Sequence, residues 1–444
     1  MTSIASSGLL SVEEALAEVL AAIPGPLPAE DVAPESAVGR WLAAPVIATT
    51  DLPPWDNSAM DGYAIRAAET AGASEEAPVR LRVVGEIAAG SWPSLVVEPG
   101  TAIRIATGAR IPVGADAVVP VELTTPMAAD GSSGPRGREA AGPLPEACLV
   151  HEPVPVGGSI RRRAGDIRAG SEVLASGSRL SAAAVALAAG AGVATVSVHG
   201  RPRVAVLATG DEVRSGGEAL GEAGIPDANG PGLRALVAAT GGEPIALGTA
   251  RDVLSDVAAR LARGVQESDV VIVSGGVSVG PYDVVRSAFE AVGSVSLWRV
   301  AVQPGKPFAF GTAARPAGGA PVLLFGLPGN PVSTAVTFEL FVRPALRRLA
   351  GEPHPTRAVD DGVLLEPVTK ASGRRAFLRV TAERGADGRL HRDGLGRVPV
   401  RLAGGQGSHV LSALAAADAL AIVPETQESL PVGADVALWW LDGA

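Results

Sequence analysis

The sequence contains one cysteine, two lysines and two tyrosines among 444 residues. The single thiol, Cys148, excludes an internal disulfide framework and a zinc site built from thiolates, and it favours a reducing compartment. Long runs of large apolar side chains are also missing. Residues 180–198 carry no charge but consist mainly of Ala, Gly and Ser, so their insertion into a bilayer would gain little free energy. We expect a buried helix followed by a strand in this segment.

Positive charge is scarce as well. The chain has 37 Lys and Arg against 47 Asp and Glu, which gives a formal net charge of −10. This balance argues against a nucleic acid or an anionic membrane as a partner, although a local group of cations can still bind a small anion. The first charged residue is Glu13, so no basic segment of a secretory signal is present. We expect a cytoplasmic protein.

What the chain does contain is enough apolar material for several cores, since 47% of its residues are hydrophobic. Its length predicts two to four domains. Residues 11–23 begin with a capping-box pattern, Ser11 and Glu14, followed by one apolar helical face. From about 45 to 160, short apolar runs between Gly and Pro predict a small β barrel or sandwich, and the tail, about 355–444, predicts a second one.

Between residues 203 and 350, strand-like and helix-like segments alternate. The predicted strands are RVAVLAT, EPIALG, DVVIVS, SLWRVAV and PVLLFG, with helices at 232–240, at 252–265, after Pro281 and from about Pro331. This alternation is typical of a doubly wound parallel sheet. The fold class is therefore multidomain, α/β plus β.

The turns after these strands predict a ligand site, because the carboxyl ends of parallel strands share one edge of the sheet. The turn 274–280 is rich in glycine and leads into a helix, so its backbone N–H groups can hold a phosphate. An ordinary strand-to-helix turn remains the alternative. Neither the G-x-G-x-x-G fingerprint nor a P-loop is present, which disfavours a dinucleotide dehydrogenase. No histidine pair has metal spacing, and we assign no histidine a role.

Three carboxylates follow the predicted strands: Glu212, Asp252 and Asp283. Hard oxygen ligands of this kind suit Mg²⁺, which would bridge the protein to phosphate oxygens. The alternative is structural, because Asp252 occupies an expected helix N-cap position and Asp283 a first helical turn. Lys306, held between two prolines, suits a phosphate or an oxyanion. Residues 326–331, with Ser333, form either an anion pocket at a helix N-terminus or simply a rigid start to the helix.

The motifs resemble those of the molybdopterin molybdenumtransferases, which are the bacterial MoeA type and the homologous E domain of gephyrin. The matching segments cover nearly the whole chain in family order: DNSAMDGYA (56–64), IATGARIP (105–112), RRRAGDI (161–167), TGDE (209–212), SGGVSVGPYD (274–283), PGKPFAFG (304–311), GLPGNPVS (326–333), FLR (377–379) and GQGSH (405–409).

The resemblance implies the reaction of adenylyl-molybdopterin with molybdate to give molybdenum cofactor and AMP, with Mg²⁺ required. It implies a homodimer whose active cleft combines the α/β domain of one subunit with β elements of the other. The adenylyltransferase of the same pathway is a possible further partner. Four domains follow: residues 1–45 with 147–200 as an elongated linker and dimerisation domain, 46–146 as a β-barrel-like domain, 201–350 as the molybdopterin-binding α/β domain and 351–444 as a C-terminal β barrel.

Carried over position by position, the resemblance assigns catalytic roles to Asp61, Thr107, Glu212, Asp252, Asp283 and Lys306. The three acidic residues Glu212, Asp252 and Asp283 are the expected metal ligands. Together with the turns described above, the resemblance assigns cofactor binding to Asp166, Thr209, Gly210, Ser274, Gly275, Gly276, Ser278, Pro328, Gly329, Asn330, Pro331, Ser333, Arg379 and Ser408. Of these, Ser333, Arg379 and Ser408 line the expected molybdate pocket with Lys306.

One position departs from the family. Many relatives carry a second lysine three residues before Lys306, where this chain has Gln303. A neutral amide can donate to an oxyanion but supplies no charge, so molybdate affinity or metal discrimination should differ. Two other functions remain open on the residues: the preceding adenylyltransferase step, whose domain is similar to residues 203–350, and a gephyrin-like scaffold.

Overall fold

A computed structural model describes residues 9–137, 142–276, 284–315 and 318–441. Its contacts divide the chain into two units. The smaller unit comprises residues 32–38 and 44–196, and the larger unit comprises the segment up to residue 31, residues 39–43 and the chain from residue 197 onward. None of the helices in the described ranges combines the length and apolar character that crossing a bilayer requires.

The first helix, α1 (Val12–Ala21), confirms the capping box. The Glu14 backbone N–H donates to the Ser11 hydroxyl at 3.1 Å, and the Ser11 N–H donates to the Glu14 carboxylate at 2.8 Å. The predicted apolar face is buried at Val12, Ala15 and Val19. This face packs into the core of the larger unit.

The smaller unit contains a six-stranded sheet in the order β4-β1-β3-β2-β6-β5. Strands β2 and β3 are parallel, and the other neighbours are antiparallel. The strands are β1 (Gly62–Ile65), β2 (Val79–Ile87), β3 (Thr101–Ile105), β4 (Ala117–Pro120), β5 (Thr124–Met127) and β6 (Ala147–Val150). Strand β6 pairs with β2, so the sheet extends past residue 146, where the sequence predicted a domain boundary. The Cys148 thiol on β6 is fully buried, and burial raises its pKa to about 12.

The predicted apolar helix exists as α2 (Ala182–Gly190), which begins at the N-cap Ser181. The prediction that it is buried is wrong, because Ala188 is its only buried residue. Its side chains are almost all methyl-sized or aliphatic, so solvent contacts an apolar surface along most of this helix. The sequence could not reveal this, since an apolar segment carries no sign of which element, if any, covers it.

The larger unit contains the doubly wound sheet, in the order β8-β7-β9-β12-β11-β10. Its strands are β7 (Arg203–Thr209), β8 (Glu243–Ala250), β9 (Val270–Ser274), β10 (Ser294–Arg299), β11 (Pro307–Ala313) and β12 (Val322–Leu327). Strands β8, β7, β9 and β12 form the predicted parallel core. Strand β11 was not predicted, and it runs antiparallel to both β12 and β10. It runs antiparallel because a loop of only seven residues joins it to the end of β10.

Helices cover both faces of this sheet, as its alternating side chains require. Val204 and Val206 of β7 face a core shared with α1, whereas Ala205 and Leu207 face a second core on the other side. The helices are α3 (Asn229–Ala239), α4 (Leu254–Glu267), α5 (Val284–Val292), α6 (Pro331–Thr337) and α7 (Arg343–Leu349), with a π-helical turn, Phe338–Val342, between the last two. Helix α3 begins three residues before the predicted start, and α4 begins two residues after it.

The C-terminal strands form the predicted barrel. Strands β13 (Asp360–Leu364), β14 (Arg375–Ala382), β15 (Val398–Leu402), β16 (Ala419–Val423) and β17 (Asp435–Trp440) pair in the order β14-β15-β13-β17-β16, and β16 closes the barrel by pairing with β14. Helix α8 (Leu411–Ala415) precedes β16. The short strand Val302–Gln303, which follows β10, pairs with the start of β14 and so joins the barrel to the loop that contains Lys306.

Shorter elements complete the description. The remaining strands are Ala29–Val32, Val46–Ile47, Asn57–Ser58, Ile160–Arg161, Glu172–Leu174, Val196–His199, Val213–Arg214, Ile225–Pro226, Val368–Thr369 and Ser429–Leu430. The 3₁₀ turns are Pro34–Ala37, Ala67–Thr70 and Val121–Leu123.

Candidate active site

The ends of β7, β9 and β12 border a cavity of about 540 Å³, which we call the carboxyl-edge cleft. Its position agrees with the expectation that ligands of doubly wound sheets bind at the carboxyl ends of the strands. Most of its lining residues are polar or glycine. The lining includes Thr209, Gly210, Glu212, Asp227, Asn229, Asp252, Ser274, Gly275, Gly276, Gly329, Asn330, Pro331 and His409.

Acidic side chains lie close together at this cleft. Glu212 and Asp252 line it, and the backbone N–H of Asp252 donates to the Asp211 carboxylate at 3.2 Å. Burial, and then the negative charges of Asp211 and Glu212, raise the pKa of Asp252 above its ordinary value. The helix-capping alternative for Asp252 is wrong, because α4 has Val253 at its N-cap and no side-chain cap hydrogen bond.

A bound cation would relieve this repulsion. Within the described ranges, however, no three His, Cys, Asp or Glu side chains are arranged to hold a metal ion unaided. The third expected ligand, Asp283, lies outside the described residues, as does Ser278. The described chain therefore contributes two of the three expected carboxylates, Glu212 and Asp252, to the cleft.

Glycines bring the backbone close to the cleft. Gly275 has φ of +102°, and a Cβ there would lie 2.5 Å from the Thr209 carbonyl oxygen. Gly210 has φ of +142°, and a Cβ there would lie 2.8 Å from a carboxylate oxygen of Glu212. Any larger residue at either position would displace the strand end or the carboxylate.

A hydrogen-bond network joins three of the turns. Asn229, at the start of α3, donates from its amide nitrogen to the Ser274 hydroxyl at 2.8 Å and to the Gly329 carbonyl at 2.7 Å. The Ser274 hydroxyl in turn donates to the Pro328 carbonyl at 3.2 Å. Because two acceptors hold the Asn229 amide group, the network fixes its orientation as well as the spacing of the turns.

A second, smaller cavity of about 180 Å³ lies beside the barrel, and we call it the arginine pocket. Arg379, Gln303, Pro304 and Gln406 line it. The Arg379 side chain is 1% exposed and donates only to backbone carbonyls, those of Gly405 at 3.2 Å and of its neighbours in the same loop and strand. Burial lowers the pKa of its guanidinium group.

The arginine pocket contains unsatisfied polar atoms. Among the described residues, neither Arg379 Nε nor Gln303 Oε1 has a hydrogen-bond partner, and both atoms are buried. No carboxylate of the described chain pairs with Arg379. A buried cation without a counter-ion is costly, so this pocket is suited to an anion.

The other expected molybdate residues, Lys306, Ser333 and Ser408, do not line this pocket, but their segments make backbone contacts with one another or with the loop that follows Gly405. Arg379 donates to the Gly407 carbonyl, and the next carbonyl, that of Ser408, accepts from the Val332 N–H at 3.1 Å. A Cβ on Gly305, the residue before Lys306, would lie 3.6 Å from the carbonyl oxygen of Ser333. Ser333 is buried, Lys306 is half-buried, and neither is among the residues that line the two cavities.

In the smaller unit, two expected residues contact each other. Asp61 Oδ1 accepts from the Thr107 backbone N–H at 2.7 Å and from its hydroxyl at 2.9 Å. Asp166 is exposed. Arg163, three residues earlier, donates from its backbone N–H to the Asp56 carboxylate at 2.7 Å.

The sequence interpretation missed three polar residues of the described cleft lining: Asp227, Asn229 and His409. The signal for Asp227 and Asn229 was a pair of polar residues at the start of α3, but the predicted helix start at residue 232 left both outside the helix. His409 is the last residue of the GQGSH motif, but no histidine pair with metal spacing pointed to a role for it. It reaches the cleft because the Ser408 carbonyl binds the N-terminus of α6.

Three protein families match the chain in order. Residues 10–192 match the MoeA N-terminal region (domain I and II), residues 205–348 match a probable molybdopterin binding domain, and residues 361–441 match the MoeA C-terminal region (domain IV).

Individual relatives match over nearly their whole length. Molybdopterin molybdenumtransferase 2 of Mycobacterium tuberculosis is 37% identical over 409 residues, which are 91% of this chain and 93% of the relative. The molybdopterin molybdenumtransferase of a Nostoc species is 37% identical over 403 residues, 90% of this chain and 86% of the relative. The crystal structure of the molybdopterin biosynthesis MoeA protein from Pyrococcus horikosii superposes with a TM-score of 0.75 at 31% identity, covering 98% of this chain and 100% of that one. The chain therefore belongs to the MoeA family.

Proposed function

We propose that this enzyme of molybdenum cofactor biosynthesis inserts molybdate into adenylyl-molybdopterin and releases AMP. The observation that carries the proposal is the pairing of a polar, glycine-rich cleft with a buried, uncompensated arginine nearby in a chain of the MoeA family. The cleft suits a pterin that carries phosphate groups. The arginine pocket suits a small oxyanion.

In the cleft, Glu212 and Asp252, with Asp283, would hold Mg²⁺. Two or three carboxylates suffice, because Mg²⁺ in proteins is commonly bound by one or two carboxylates together with substrate phosphates. The raised pKa of Asp252 is consistent with this assignment, since burial and then the negative charges of Asp211 and Glu212 disfavour its ionised form until a cation binds. When bound, the ion would neutralise the charge of the phosphoanhydride.

Backbone groups of the cleft would orient the phosphates. The N-terminus of α6 follows Gly329 and Asn330, and the turn at Gly275 and Gly276 presents peptide groups without side chains in the way. Thr209 and Ser274 are buried and keep these turns in place, whereas Gly210 leaves room for Glu212. Catalysis would then be largely positional and electrostatic, with no protein nucleophile.

Arg379 would hold molybdate, and the family pattern assigns further contacts with the oxyanion to Lys306, Ser333 and Ser408. The loop 404–410 connects the two sites, because Gln406 lines the arginine pocket and His409 lines the cleft. An oxyanion at Arg379 would thus lie one loop away from the pterin. The dithiolene sulfurs would bind molybdenum, and cleavage of the phosphoanhydride would release AMP.

The protein is a cytoplasmic homodimer, and the apolar surface of α2 supports a second copy as its cover. Asp61, Thr107 and Asp166 act in the reaction as they do in the family pattern. The four domains have the ranges given above, except that strand β6 assigns residues 147–150 to the six-stranded sheet, so the linker domain would resume after residue 150.

The two alternatives are less well supported. An adenylyltransferase needs only the α/β domain, whereas this chain matches MoeA regions on both sides of it. The named relatives that it matches over most of their length are molybdenumtransferases, not scaffolds.

The proposal is tested by incubating the protein with adenylyl-molybdopterin, Mg²⁺ and molybdate. We expect release of AMP and a product that activates a cofactor-free molybdoenzyme. Consumption of ATP with formation of adenylyl-molybdopterin would instead identify an adenylyltransferase. Stable capture of a receptor-like partner without any pterin binding would identify a scaffold.

A further inference from the structure

A third cavity adjoins the carboxyl-edge cleft. It is a groove of about 400 Å³ between α3, α6 and α8, which we call the α3–α8 groove. Ala228, Asn229 and Pro331 line both the groove and the cleft, so the two spaces are continuous at the N-terminal ends of α3 and α6. A volume of this size is in the range of small-molecule sites.

The walls of the groove are mostly hydrocarbon. Residues that form them include Ala235, Leu236 and Ala239 from α3, Ala335 from α6, and Leu414 and Ala415 from α8. Small side chains on α3 keep the groove open, and a methyl group built on Gly232 would meet no heavy atom within 4 Å. The groove thus offers flat, apolar contact rather than a set of polar partners.

Polar groups of the groove are already engaged. Thr334 donates to the Pro328 and Asn330 carbonyls. Glu339, the one charged residue in the described lining, accepts from Arg357 Nε at 2.7 Å. The exception is the side-chain oxygen Oδ1 of Asn229, which accepts no hydrogen bond from the part of the chain that the structure describes. It lies at the junction with the cleft.

We infer that the α3–α8 groove binds the nucleobase of the adenylyl group, both before the phosphoanhydride is cleaved and until AMP leaves. The inference rests on the proposed function, which supplies a substrate with two ring systems joined through phosphates. If the phosphates lie in the cleft, the pterin must lie on one side of them and the adenine on the other. The pterin, with several donors and acceptors, matches the polar cleft, whereas adenine has two broad apolar faces and one exocyclic amino group.

A nucleobase in the groove also gives a role to the residues where the groove meets the carboxyl-edge cleft. The Asn229 amide nitrogen holds the turns together, and its oxygen can accept from the adenine amino group or from a ribose hydroxyl. Pro331, at the first position of α6, gives a rigid apolar corner between phosphate and base. Release of AMP after molybdenum insertion would therefore empty both the groove and the phosphate site.

Binding of AMP and of ribose 5-phosphate tests the inference, because the two ligands share the phosphate and differ by the base. Calorimetry on the full chain should show that AMP binds at least about tenfold more tightly, a difference of about 1.4 kcal/mol. Ala235→Trp on α3 and Ala415→Trp on α8 fill the groove from opposite walls at exposed positions. Each should remove the preference for AMP while leaving ribose 5-phosphate binding within twofold.

Ala259→Trp is the matched control, because Ala259 is an exposed residue of α4 and does not line the groove. It should keep the wild-type preference. Equal binding of AMP and ribose 5-phosphate to the wild type, or an unchanged preference in both groove variants, would overturn the inference. So would an AMP affinity that falls with rising protein concentration, since that result would assign the groove to a second copy of the chain.

Failure of the proposed function and failure of the nucleobase assignment give different results. If the wild type releases no AMP from adenylyl-molybdopterin in the presence of molybdate, the function is wrong whatever the binding data show. If the wild type does release AMP and the groove variants react with an unchanged KM, only the location of the nucleobase is wrong.

Discussion

Asp61 and Thr107, which are 46 positions apart in the sequence, are joined by two hydrogen bonds to a single carboxylate oxygen. The Thr107 N–H donates at 2.7 Å and its hydroxyl at 2.9 Å. Both residues are exposed, so the pair contributes little to stability. Its consequence is positional: Oδ1 of Asp61 is occupied, whereas Oδ2 accepts no hydrogen bond from the described residues and can face a ligand.

Thr107→Val removes the hydroxyl bond and keeps the backbone bond. We expect the rate of molybdenum insertion to fall about fivefold, the effect of losing about 1 kcal/mol of orientation, with the melting temperature unchanged. Insertion rate and thermal unfolding are measured side by side. Thr50→Val serves as the control, since its hydroxyl makes only a 3.5 Å contact with the Asp51 carbonyl. Equal insertion rates for both variants and the wild type would show that the contact between Asp61 and Thr107 has no role in the reaction.

Arg379→Met should separate stability from function. The substitution keeps an unbranched side chain but replaces a charged group with an apolar one. Because the buried charge has no counter-ion among the described residues, the free energy of unfolding should stay constant or rise by about 1 kcal/mol. Stabilisation of the protein by added molybdate should disappear. Denaturant unfolding with and without molybdate measures both effects. A variant that still gains stability from molybdate would show that the oxyanion binds elsewhere.

Gln303→Lys adds the cation that many relatives carry. The Gln303 side chain faces the arginine pocket with an unsatisfied carbonyl oxygen, so a lysine there should strengthen oxyanion binding by about 1 kcal/mol or more. We expect the molybdate concentration for half-maximal insertion to fall about fivefold. Gln406→Lys, in the same pocket, tests whether position 303 is special. A molybdate requirement that does not respond to Gln303→Lys would mean that position 303 does not contact the anion.

Asp360 should control the acid stability of the C-terminal barrel. Hydrogen bonds from Arg392 and then from Trp440 hold the pKa of its carboxyl at about 2. A lowered pKa stabilises the folded state above the unfolded pKa of about 4, and this contribution is lost as the pH falls towards 2. Asp360→Asn should therefore cost about 1–2 kcal/mol at pH 7, allowing for solvent screening, and almost nothing near pH 2. Unfolding free energies across this pH range measure it, and a cost that does not change with pH would contradict the assignment.

Much of the fold followed from the sequence because local signals agreed with the tertiary structure. The capping box at Ser11 and the alternation of strands and helices from residue 203 are of this kind. Strand β11 was missed because its sequence, PFAFGTA, begins with Pro and contains Gly, and only its pairing with β10 and β12 makes it a strand. The exposure of α2 was missed for the same reason, since it depends on what neighbouring elements cover.

The candidate site was predictable where residues follow strand ends directly. Glu212 and Asp252 reach the cleft by topology alone. Asn229 and His409 reach it through contacts that no spacing rule reveals, the first by bonds to Ser274 and Gly329 and the second by the docking of its loop on α6. The burial of Arg379 was likewise invisible in the sequence, because surface and buried arginines look alike there.

The central claim is that the acidic side of the carboxyl-edge cleft supports release of AMP. The most direct test is a single-turnover measurement of AMP release from adenylyl-molybdopterin by Asp252→Asn, with Mg²⁺ and molybdate present. Since Asp252 caps no helix and its charge is opposed by Asp211 and Glu212, the variant should fold with an equal or slightly higher melting temperature. We expect its AMP release to fall at least a hundredfold, about 2.7 kcal/mol. AMP release at the wild-type rate by the folded variant would contradict the account.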